Sequence, residues 1–126
     1  MITPEEMREW TAMAMGWKLG TTSVRNSYTG IATHEPAWID EHGTHEFFVV
    51  DWIPDTDLNQ CFMLVDRMRG LGFNYLLEWH QKYHKSYFAV FWINPTGEGV
   101  DKSTGKGFNI NPCHAIILAA MATEGK

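Results

Sequence analysis

No run in this 126-residue chain approaches the ~20 consecutive apolar residues that a membrane span requires. Cysteine is scarce: Cys61 and Cys113 are the only two, far apart and without a CxxC pair, so there is no zinc or thiol-redox signature. Each falls near the start of an expected helix, and both read as buried free thiols of a reducing cytosol. Only five prolines and 44% apolar residues exclude a disordered chain. Basic residues are outnumbered, 10 Lys and Arg against 15 Asp and Glu, and the net charge of −5 argues against generic binding to a nucleic-acid backbone. A local basic patch stays open around Lys102, Lys106 or Arg67 and Arg69. Nucleophile elbows, His-Glu-x-x-His motifs and dinucleotide-binding glycine fingerprints are all missing. The N-terminus, Met1 to Glu6, is acidic where a signal peptide would be basic. These absences set the expectation of a single, cytoplasmic, non-enzymatic domain spanning 1–126, with no cofactor and no metal.

What is present is a sharp junction, Asp51-Trp52-Ile53-Pro54-Asp55-Thr56-Asp57. The apolar run Phe47 to Val50 before it reads as a buried strand, which Pro54 ends because it has no N–H for the ladder. Asp55, Thr56 and Asp57 are short acceptors suited to cap the helix that follows.

The same logic organises the rest. Thr3-Pro4-Glu5-Glu6 is a capping box opening a helix over 4–15 with the stripe Met7, Trp10, Met13 and Ala14. Trp17 to Leu19 is a short strand, and the polar stretch 20–35 reads as a mobile surface loop. Strands at 37–40 and 44–52 flank the turn 41–43. A helix over 57–71 buries Leu58, Cys61, Phe62, Leu64, Val65, Met68 and Leu71, and Gly70 and Gly72 close it. Strands at 73–80 and 86–94 follow, then a glycine-rich loop at 95–107 and a short strand at 108–110. Asn111 and Pro112 open a last helix to 123. The order α-β-β-α-β-β-α predicts an α+β fold, one antiparallel sheet with helices packed on it as a helix-sheet sandwich. Leu64 and Phe91 are expected in its core.

Several segments in this order carry a resemblance: Met15-Gly16-Trp17; Asp51 to Asp57; Met68-Arg69-Gly70-Leu71-Gly72-Phe73; Ala89-Val90-Phe91-Trp92; and Pro112-Cys113-His114-Ala115-Ile116. Together they resemble the phage ABA-sandwich domain, a family of small bacteriophage and prophage proteins. The resemblance implies helices sandwiched around a sheet and a phage origin. It brings no reaction and no catalytic residues.

Candidate sites are few. His80 with His84, and His42 with His45, have no third ligand at matching spacing, so they read as solvent-facing. Asp51, Asp55 and Asp57 offer oxygens for a divalent cation, but helix capping already accounts for two of them. Gly105-Lys106 lies in a glycine-rich loop, yet Gly99 is one residue too distant for a P-loop and Gly107 stands where a hydroxyl belongs. A looser anion-holding loop with Lys102 or Lys106 stays open. Six tryptophans exceed what such a core needs, so Trp79 and Tyr83 are candidate stacking groups beside Arg67. The leading expectation is an accessory protein acting in counter-defence in the host cytoplasm. Its small anionic ligand, such as a host signalling nucleotide, is held by Trp79, Tyr83, Arg67, Lys102 and Lys106, and homo-oligomerisation would complete the site. The alternative of a different class is an interaction module that occludes a host protein, marked by a contiguous exposed apolar patch. A small hydrolase is the third reading.

Overall fold

The computed structural model describes residues 2–81, 85–93 and 104–125. Its elements run α1 (Pro4–Ala14), β1 (Lys18–Arg25), β2 (Ala32–Ile39), β3 (His45–Phe48), a 3-10 turn (Val49–Asp51), α2 (Leu58–Gly70), β4 (Asn74–His80), β5 (Ser86–Trp92), β6 (Gly105–Asn109) and α3 (Pro112–Ala122). The fold is α+β, with three helices and antiparallel strands, as the alternation of patterns implies. Helix starts fall where short polar side chains can take orphan N–H groups. Thr3 and Glu6 form the reciprocal capping box on α1. Asp57 accepts from the N–H of Gln60 to cap α2. Asn111 accepts from Cys113 and His114 to cap α3.

The strands form two three-stranded sheets, β1-β2-β3 and β4-β5-β6, where the sequence suggested one. The larger difference lies at 20–35. It is not a loop: β1 and β2 pair from Lys18↔Ile39 to Arg25↔Ala32. Strand β3 covers only Ala37 to Ile39 of β2, so Thr21–Arg25 and Ala32–Pro36 continue as a two-stranded ribbon. Nearly every ribbon residue is exposed, which is why no apolar alternation announced it. Strand β3 also ends at Phe48, earlier than Pro54 would dictate, and Val50 in the turn that follows is 83% exposed.

Two apolar clusters result. The larger joins Met7 of α1, Cys61, Leu64, Val65 and Met68 of α2, Ala89 and Phe91 of β5, and most of α3. The smaller joins Ala12, Trp17, Trp38 and Trp52, with Phe47, Val49 and Met63 against them. Helices α1 and α2 serve both clusters and tie the two sheets together. Leu64 and Phe91 are fully buried, as expected, whereas Leu58, Phe62 and Leu71 are partly exposed, so the apolar face of α2 is narrower than its sequence suggests. Among the described residues no helix is long and apolar enough to cross a membrane.

Of the glycines expected to close α2, only Gly72 has the left-handed φ, +99°; Gly70 is helical, and a Cβ there would meet nothing. Gly70→Ala is therefore expected to raise stability by about 0.5–1 kcal/mol, because alanine loses less backbone freedom on folding. Gly72→Ala should lower it. Paired urea melts of the two variants check both signs.

Candidate functional site

The junction at 51–57 is a knot of long-range bonds. Asp55 is 1% exposed and takes a forked pair from Arg8, Nε to Oδ1 at 2.7 Å and Nη2 to Oδ2 at 3.1 Å. The expectation that Asp55 caps a helix is thus replaced: it anchors α1, and its backbone carbonyl accepts from Asn111 Nδ2 at the head of α3. Gln60 of α2 bridges the junction, accepting from the Ile53 N–H at 2.7 Å and donating to the Asp51 carbonyl at 2.9 Å. Trp52 is fully buried, and its indole N–H donates to Thr11 Oγ1 at 3.0 Å and the Arg8 carbonyl at 3.2 Å. All three helices meet here, and α1 is thereby fixed against the β1-β2 hairpin.

That placement opens a groove of about 610 Å³. Its wall is Trp17, Leu19 and Trp38; Met13 of α1 and Val49 and Val50 of the 3-10 turn face them; Glu5, Glu9, Arg8 and Lys18 stand at the rim. Trp17 lies edge-on to Trp52 at 4.8 Å and beside Phe47 at 5.8 Å, so the aromatic wall is braced from behind. Met13, Leu19 and Val50 are 62%, 66% and 83% exposed, a local concentration of apolar surface on three separate elements. Trp38 is buried, yet its Nε1 has no hydrogen-bond partner among the described residues. An unpaired buried donor costs about 1–3 kcal/mol. The Arg8 guanidinium is committed: its hydrogen bond to Asp55 raises its pKa most, burial opposes this, and the charges of Asp55 and Glu5 add to it. The remaining rim charges are Glu5 and Glu9 against Lys18, an acidic balance.

The residues expected to hold an anion do not converge. Arg67 Nε donates to the Ala14 carbonyl at 3.2 Å, tying α2 to the end of α1. Trp79 is 44% exposed, donates to Gln81 Oε1 at 2.7 Å and sits edge-on to Tyr87 at 5.0 Å. In the ladder Trp79 pairs with Tyr87, whereas Lys106 pairs with Val90, three positions along. Alternation therefore puts Trp79 and Lys106 on opposite faces of their sheet. Tyr83 and Lys102 lie outside the described residues, as does His84. No cluster of metal-ligating side chains occurs among the described residues. His80 instead bonds Glu78 at 2.6 Å, and His45 packs on Phe48 at 4.5 Å.

The buried titratable groups form no nucleophile. Cys61 and Cys113 are free thiols in the core, and Cys61 Sγ donates to the Cys113 carbonyl at 3.8 Å. Burial is the main cause pushing both thiols up, and it pushes the Tyr75 phenol up to about 12. All three are held in their neutral forms at ordinary pH, the reverse of an activated thiolate.

The groove escapes sequence reasoning because its lining comes from α1, the start of β1, the end of β2 and the 3-10 turn, segments whose meeting no local pattern announces. The signal that was present is the aromatic excess, of which Trp17 and Trp38 make the groove wall. The chain matches no protein-family model, no curated protein and no solved structure.

Proposed function

We propose that this protein is an interaction module whose groove takes a short segment of another polypeptide. The observation that carries this reading is a preformed apolar groove with the Trp17 and Trp38 rings in its lining and Met13, Leu19 and Val50 exposed along it. Such a groove favours an aromatic or branched anchor and a neighbouring cation for Glu5 and Glu9. Aromatic anchors seated in desolvated pockets dominate interface energetics, and here the pocket is preformed. The resemblance to the phage ABA-sandwich domain adds a host protein as partner and its occlusion as the effect. Capture of a signalling nucleotide has less behind it: Arg67 is engaged with the Ala14 carbonyl, and Trp79 and Lys106 face apart.

Selection from a random peptide library on the immobilised protein tests the proposal. Enriched peptides should carry an aromatic residue beside Arg or Lys, and Val50→Asp should abolish their binding. Val50 is 83% exposed, so that variant keeps its fold. Absence of enrichment, or peptides indifferent to Val50→Asp, overturns the reading.

A further inference from the structure

The ribbon beyond β3 carries a segment of the chemistry the groove asks for. Five paired positions, from Thr21↔Pro36 to Arg25↔Ala32, extend with no third strand beside them among the described residues. At about 3.4 Å per residue the tip stands roughly 15–20 Å from the body. A lone two-stranded ribbon is marginal in water, so its tip needs a reason to be ordered. Part of that order is internal: Asn26 Oδ1 accepts from Tyr28 and Thr29, and the Asn26 N–H donates to the Ile31 carbonyl at 2.9 Å.

What the tip presents is apolar. Tyr28 is 96% exposed, Ile31 63% and Val24 38%, and Arg25 stands next to them. Nothing in the chain's own body covers these side chains to that extent. We infer that the arm inserts into the groove of a second copy of this chain, with Tyr28 seated against Trp17 and Trp38 and Arg25 facing Glu5 and Glu9. Two complementarities support this occupant. The basic residue at the tip meets the acidic balance of the rim. The exposed apolar surfaces that need covering lie on both partners.

The arm and the groove share a root, since Lys18, Leu19 and Trp38 belong to the strands that run on into the ribbon. A two-fold axis crossing the ribbon midway between root and tip would lay the two arms side by side and bring each tip to the other groove, a reciprocal and closed exchange. Each inserted aromatic buries about 150–250 Å², a fair share of the roughly 800 Å² per partner of a stable interface. The site is then incomplete in a single copy, because Tyr28 of one copy fills the groove of the other.

This inference rests on the groove reading above, and complementation separates the two. Sedimentation equilibrium of the full chain over a thousandfold range of concentration should show dimers. Tyr28→Ala, which lacks the anchor, and Val50→Asp, which spoils the groove, should each weaken association at least tenfold. Both positions are exposed, so neither substitution threatens folding. An equimolar mixture of the two variants should recover association, since one intact arm meets one intact groove. A wild-type chain that stays monomeric throughout, variants that dimerise as wild type, or a mixture without recovery overturns the inference. If library peptides still bind the groove in that case, the interaction-module reading stands and only self-insertion falls. If neither peptides nor arms bind, both fall.

Discussion

Trp52→Ala is expected to cost about 3–5 kcal/mol, the range for removing a large aromatic from a closed core. Trp52 is fully buried and is the centre of the smaller cluster, 4.8 Å from Trp17 and 5.1 Å from Phe47 between ring centroids. That cluster is small, so it has few side chains able to collapse into the cavity. The substitution also removes the indole donor that binds Thr11 Oγ1 and the Arg8 carbonyl. Trp52→Phe is the milder step: it loses the N–H and the fused five-membered ring but keeps an aromatic in the cluster, and should cost about 1–3 kcal/mol. Urea melts of both variants measure the difference. Because Trp52 braces the groove wall, peptide binding should weaken in Trp52→Ala even where the protein remains folded. A loss under 1 kcal/mol in Trp52→Ala would show that the junction does not hold the two sheets together.

The parts of this fold that were legible in the sequence are those encoded locally. Thr3, Asp57 and Asn111 cap helices with N–H groups two or three residues away, so each cap could be read in one glance at the chain. Strands β4 and β5 were legible because their apolar side chains lie side by side in sequence. The ribbon was not, because its residues bury almost nothing. Thr21, Thr22, Ser23 and their partners are held by backbone pairing, which leaves no trace in hydrophobic pattern. The role of Asp55 was hidden for a different reason. Its partner Arg8 stands 47 residues earlier, and capping offered a nearer explanation for the same carboxylate. The groove inherits the second difficulty: its walls come from four segments far apart in the chain. Two residues expected together at an anion site, Trp79 and Lys106, are set apart by sheet parity. Trp79 and Lys106 both lie on the second sheet, but only strand register decides which face each one takes.

One substitution distinguishes the close packing of the glycines beside Lys106 from an anion-binding loop whose N–H groups cradle a phosphate. Gly105 and Gly107 are in strand β6, and both are buried against α3. A Cβ on Gly107 would run into the Ala115 carbonyl oxygen and come within 2.7 Å of the Ala119 nitrogen. A Cβ on Gly105 would likewise meet the Ala119 carbonyl oxygen and stand 2.6 Å from the Thr123 nitrogen. These neighbours are backbone atoms of a buried helix and its cap, so no side chain can swing aside to make room. Helix α3 answers with alanines at 115 and 119, both fully buried, and the two elements lie almost backbone to backbone. Gly107→Ala must therefore push α3 off the sheet, at a cost of about 3 kcal/mol, the upper part of the range for overpacking a core. In a domain of this size that lowers the melting temperature by roughly 10 °C. Lys106→Ala, exposed between the two glycines, is the control and should change it little. An anion-binding loop would respond in the opposite manner, with Lys106 deciding ligand affinity and Gly107→Ala sparing the melting temperature. A Gly107→Ala protein as stable as wild type would overturn the backbone-to-backbone packing of α3 on β6.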